Sequence, residues 1–124
     1  MGKPISVKVG VVFKEFNDYA LAFLLALKDA CNKYDRSLVI TSANDSTHSQ
    51  NSYHYRNLAW DVRLNDLKPS FWYVLQSELR RILPPYYDIL VENTDDPNNV
   101  HLHVEADMNK AGEFFAEDED ISDE

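Results

Sequence analysis

From Val100 to Val104 apolar residues alternate with histidines, and Glu105 extends the ionisable series. Side chains two apart on an extended strand point the same way. Val100, Leu102 and Val104 therefore turn to one side, and His101, His103 and Glu105 to the other. Such a segment fits only a strand with one face in a core and three ionisable groups on the face turned outward. Residues 58–64 repeat the pattern, with Leu58, Val62 and Leu64 on one face and Ala59, Asp61 and Arg63 on the other. Asp61 is a mid-strand acid between Trp60 and Val62, and a carboxylate so placed wants a cation or a metal as partner. Taken singly, a solvated strand face and an ion-paired aspartate account for these residues. Neutral imidazole is, however, the commonest metal-ligating side chain.

The remaining periodicity supplies the other elements. Residues 5–13 alternate and read as a strand. Asn17 and Asp18 offer an N-cap to a helix over 19–34, with Leu21, Leu24, Leu25 and Leu27 as its apolar face. Residues 38–41 are β-branched-rich and read as a short strand. Residues 42–52, full of Ser, Asn, Asp and Thr, read as loop. Asp66 or Ser70 caps a second helix over 71–83, stopped by Pro84 and Pro85. Two strands, 87–92 and 100–106, flank a turn-rich connection. The order β-α-β-β-α-β-β, with hairpin-length links, predicts an α+β fold: a small antiparallel sheet flanked by two main helices.

With 124 residues, 44% of them hydrophobic, the chain has material for one core. Cys31, the only cysteine, falls in the apolar-periodic helix and is expected as a buried thiol. The net charge of −9 is concentrated at the end, where Glu113, Glu117, Asp118, Glu119, Asp120, Asp123 and Glu124 follow the last lysine, Lys110. Residues 1–112 are accordingly expected as the folded domain and 113–124 as a disordered acidic tail. The body has no basic stripe and no polybasic patch, so neither nucleic acid nor membrane is an expected partner, and a monomer is expected. No charged segment followed by an apolar stretch marks a secretory signal.

Upstream of the paired histidines, Ser52, His54, Ala59 and Asp61 stand in the spacing Ser-x-His-x-x-x-x-Ala-x-Asp. Followed by His101-Leu102-His103, this resembles the D-alanyl-D-alanine metallopeptidase superfamily. That group holds D-Ala-D-Ala carboxypeptidases, phage L-alanyl-D-glutamate endolysins, murein endopeptidases and the hedgehog signalling domain. The likeness spans residues 39–105, and small phage-type members are the nearest in character. It implies a hedgehog/DD-peptidase-like zinc fold with His54, Asp61 and His103 as zinc ligands. A water would fill the fourth position, as at catalytic rather than structural zinc. The implied reaction is hydrolysis of peptidoglycan stem peptides. The protein would then be made in the cytoplasm without a signal and act on the cell wall after release, or as part of a phage particle.

Three positions depart from the family pattern. Many members carry a carboxylate three residues before the last zinc histidine, where this chain has Val100. His101 then becomes the candidate proton carrier, with Glu105 orienting a ligand and Asp95 and Asp96 nearby. Asn57 replaces the usual Gly. The Arg that holds a substrate carboxylate in carboxypeptidase-like members is missing after Ser42, leaving Arg56 and Arg63; Arg63 is equally an ion-pair partner for Asp61. Ser52 and His48 are further candidates for substrate contact. A hedgehog-like, zinc-containing binding module without activity is the alternative that Val100 and the acidic tail favour.

Overall fold

The computed structural model describes residues 3–13, 16–46 and 57–122. The elements run β1 (Ile5–Val7), α1 (Asp18–Tyr34), β2 (Leu38–Ser46), β3 (Asn57–Arg63), α2 (Pro69–Ile82), β4 (Tyr87–Glu92), β5 (His101–Ala106) and α3 (Met108–Ser122). All five strands form one sheet in the order β1-β2-β3-β5-β4. The fold is α+β as expected, but the sheet is mixed rather than antiparallel. β1 pairs parallel with β2, Ile5 opposite Leu38. The reason is connectivity: α1 lies between the two strands, and a helical crossover returns the chain in the same direction.

The first helix starts where Asn17 predicts. Its side-chain Oδ1 accepts from the backbone N–H groups of Tyr19 and Ala20 at 3.0 and 3.2 Å, and Asp35 in the left-handed region (φ 53°) ends it. Its buried stripe is Ala20, Phe23, Ala26, Leu27, Ala30 and Cys31, which shares Leu27 with the expected leucine face and has Leu24 at its margin. Leu21 and Leu25 are exposed. Small alanines bring the helix close to the sheet, and Phe23 stacks on Trp60 of β3 with ring centroids 4.6 Å apart. Both Trp60 and Trp72 thus belong to the core. The second helix begins at Pro69, whose fixed φ suits a first helical position; neither Asp66 nor Ser70 is its N-cap, which is Lys68. Trp72 Nε1 donates to the carbonyls of Leu64 and Leu67, and Gln76 and Arg80 donate to the carbonyl of Ile89. Those bonds fasten α2 to the exit of β3 and to β4.

Three further boundaries differ from expectation. β1 stops at Val7 because Gly10, at φ 93°, turns the chain away. β2 runs on through residues 42–46, which pair with β3 from Ser42 opposite Asp61 to Ser46 opposite Asn57. The backbone ladder holds this polar stretch without any apolar periodicity. At the other end, α3 crosses the boundary expected at residue 112. Asp107 Oδ1 accepts from the N–H groups of Asn109 and Lys110, and Phe114 and Phe115 lie against Tyr86. No described helix is long and apolar enough to cross a membrane.

Candidate metal centre

Strand order places the histidine strand where two others can serve it. β5 pairs antiparallel with both β3 and β4, so β3 and β4 run parallel to each other with β5 between them. Its inner residues Leu102 and Val104 are fully buried, which drives His101, His103 and Glu105 to the other face as the alternation predicts. Register then fixes their neighbours. His101 lies opposite Arg63 on β3 and Glu92 on β4. His103 lies opposite Asp61 and Leu90, and Glu105 opposite Ala59 and Asp88. Directly opposed residues have Cβ atoms about 4.5–5.5 Å apart, close enough for these side chains to meet.

They do meet. His103 Nδ1–H donates to Asp61 Oδ1 at 2.9 Å, and His103 Nε2–H donates to Glu105 Oε1 at 2.9 Å. His101 Nδ1–H donates to the Asn99 carbonyl at 2.7 Å. The Nε2 of the same ring lies 3.1 Å from Glu92 Oε1 and 3.7 Å from Asp61 Oδ1. Glu92 Oε1 is also 4.0 Å from His103 Nδ1. The acceptors flanking His103 hold its proton on well above the ordinary imidazole range, to about 9; the Asp61 bond contributes most, burial opposes it and Glu105 adds to it.

One atom each from Asp61, His101 and His103 falls within 4.8 Å of the others, an arrangement that could hold a metal ion. The chemistry of the donors fits a divalent cation. Each imidazole turns one nitrogen to the cluster, while an acceptor behind holds the other: Glu105 for His103 and the Asn99 carbonyl for His101. Metal-ligating histidines are commonly oriented in this way. Three carboxylates, Asp61, Glu92 and Glu105, stand around two imidazoles, and that negative balance favours a cation. Because ligating imidazole must be neutral, an ion entering here displaces the second proton of His103.

Two clefts adjoin the cluster. The first, about 460 Å³, is lined by Lys8, Thr41, Ser42, Asp61, Arg63 and His101 among others. The second, about 400 Å³, is lined by Arg80, Asp88, Leu90, Glu92, His103 and Glu105 among others. Both are within the size range of small-ligand sites. The cluster lies between them, and both linings mix charges: Lys8 and Arg63 with Asp61 and Asp66 in the first, Arg80 with Asp88, Glu92 and Glu105 in the second.

Of the residues singled out from sequence, Asp61, His101, His103, Arg63 and Glu105 come together here. His101 belongs to the same three-residue group as Asp61 and His103. Arg63 forms no ion pair with Asp61 among the described residues and faces the first cleft. Asp96 is spent on its own turn, accepting from the Asn98 N–H and from Asn99 Nδ2 at 3.0 and 2.7 Å. His54, Ser52, Arg56 and His48 lie outside the described residues. Glu92 and Lys8 were not visible from the sequence. Glu92 ends an alternating strand, and only the hairpin register reveals that it faces His101. No protein-family model, curated protein or solved structure matches the chain.

Proposed function

We propose that this chain is a zinc-dependent peptidase acting on peptidoglycan stem peptides, of the D-Ala-D-Ala carboxypeptidase or L-Ala-D-Glu endopeptidase type. The observation that carries the reading is the convergence of Asp61, His101 and His103 in one cluster between two clefts. Two of these are the residues that the sequence resemblance assigns to zinc, and His54 is the third in that assignment. A bound zinc ion supplies a Lewis acid that polarises a peptide carbonyl and acidifies water.

The chain's own residues do the remaining work. Glu105, buried beside Ala106, holds the rear nitrogen of His103. The Asn99 carbonyl does the same for His101. Lys8 and Arg63 bring positive charge to the first cleft, where a carboxylate of the stem peptide would be held. The second cleft is lined by Arg80 as well as by Asp88, which Lys110 pairs, and Glu92.

The test combines metal analysis of tag-free protein with mass spectrometry of purified muropeptides incubated with the zinc-loaded chain. Asp61→Asn, which removes a ligand charge, is expected to lose both zinc and product. A product whose mass identifies one stem-peptide bond, absent from the variant, establishes the activity. Hydrolysis that survives in Asp61→Asn sinks the zinc assignment. Stoichiometric zinc without any product moves the chain to the binding-module alternative.

A further inference from the structure

Resting on the hydrolase reading above, the geometry points to Glu92 as a catalytic residue: the carboxylate that moves the proton in peptide hydrolysis. Amide hydrolysis needs a group that takes a proton from the attacking water and delivers it to the leaving amine, within hydrogen-bond reach of both. Most polar groups of the cluster are already committed. Asp61 Oδ1 accepts from His103, and Glu105 is buried behind that ring. Each imidazole has one nitrogen toward the centre and the other tied to an acceptor. Position 100, three residues before His103, is a valine only 3% exposed and bears no proton-carrying group.

Glu92 differs from all of these. It is the last residue of β4 and is half-exposed, and it lines the second cleft. Its Oε1 sits 3.1 Å from His101 Nε2 and 4.0 Å from His103 Nδ1, at the centre where the ligand atoms meet. Among the described residues these two rings are the only polar partners of its side chain. Were the His101 nitrogen to turn to an ion, Glu92 Oε1 would lose that contact, while the β4–β5 register would keep the carboxylate beside the cluster.

The connection to β5 fixes that place. Asn93 takes the left-handed conformation at φ 58°. The Asn93 carbonyl accepts from the Asp96 N–H at 3.0 Å, and the Val100 N–H donates to the Asp96 carbonyl at 2.9 Å. Glu92 and His101, the two ends of this turn, are thereby held opposite each other.

The step balances on this carboxylate alone. As the water oxygen bonds to the carbonyl carbon, a water O–H bond breaks and its proton passes to Glu92. As the C–N bond breaks, the same proton passes to the amine nitrogen. Glu92 ends as it began, and one water is consumed for each bond cleaved.

The experiment compares wild type, Glu92→Gln and Glu105→Gln for muropeptide cleavage, zinc affinity by chelator competition, and thermal melting. Glu92→Gln is expected to lose only a few-fold in zinc affinity, through the charge removed, and to keep its melting temperature, while kcat falls by about 10²–10⁴-fold. Glu105→Gln is expected to show the other signature, with zinc affinity lower by about 10–100-fold. A Glu92→Gln variant with wild-type kcat overturns the role of Glu92 and leaves the peptidase reading standing. One that loses zinc in proportion to activity makes Glu92 a ligand and also overturns it. A wild-type chain that binds zinc and cleaves no muropeptide overturns both.

Discussion

Glu78 shows how much one buried acid can organise. It is 6% exposed on α2 and meets three partners: Lys33 Nζ at 2.8 Å, Tyr34 Oη at 3.2 Å, and the Arg81 guanidinium. The Arg81 and Lys33 bonds hold its pKa down to about 2, from an ordinary value of 4.5. An acid whose folded pKa is lowered stabilises the fold above its unfolded pKa, and that contribution disappears as pH falls through the folded value. Wild type is therefore expected to outlast Glu78→Gln in urea at pH 7. The gap should narrow from about pH 5 downward and close near pH 2, the folded value. Equal denaturation midpoints at neutral pH would show that the ion pairs, whose basic partners are exposed, add nothing net. The contrast with Asp61, Glu92 and Glu105 is instructive. Around Glu78 bases complete the acid, whereas the metal-centre carboxylates gather around imidazoles and leave room for a cation.

At the level of elements, the helices and strands were legible to different degrees for physical reasons. The alternation at residues 58–64 and 100–106 named the buried and outward faces of β3 and β5 correctly, because period two leaves no other arrangement. Asn17 announced the start of α1 through its side-chain oxygen. Replacing it with Ala removes both cap bonds, and an equilibrium unfolding curve is expected to show a loss of about 1 kcal/mol. An unchanged curve would mean that the α1 terminus finds other acceptors. The face of α1 was half legible: Leu27 is buried and Leu24 packs on the core, but Leu21 and Leu25 are exposed and the alanines take their place. The sheet chose the side that allows close approach and the Phe23–Trp60 stack. The extension of β2 into residues 42–46 was also invisible, because a ladder of backbone bonds demands nothing of side-chain composition.

For the molecule as a whole, the class of fold was readable and the arrangement of its strands was not. No local pattern tells that β5 inserts between β3 and β4, or that β1 joins in parallel. The candidate site inherits that limit. Asp61 and His103 were singled out by strand alternation together with the family resemblance, whereas Glu92 reaches the cluster, and Lys8 the adjoining cleft, only through strand order and loop path. The acidic end carries a further lesson. Charge density suggested a free tail from residue 113, yet Phe114 and Phe115 stand against Tyr86 with centroids 5.4 and 5.8 Å away. Truncation after Gly112 is expected to lower the melting temperature by about 3–5 °C, the shift that a loss of roughly 1 kcal/mol produces in a domain of this size. An unchanged melting temperature would show that these rings add no stability.

The alternation of β5 has a last consequence, which concerns how such a chain can vary. Its two faces are separated by a single residue step: His103 turns outward only because Leu102 turns inward. The 93–99 connection can change its side chains as long as its turn bonds and the phase of the strand are kept. One residue inserted between Val100 and His103 shifts that phase, turning imidazoles into the core and aliphatics toward the clefts. Descendants of this sequence are thus free in loop composition but bound in parity. A lineage that breaks the parity loses the Asp61–His101–His103 cluster and the core in the same event.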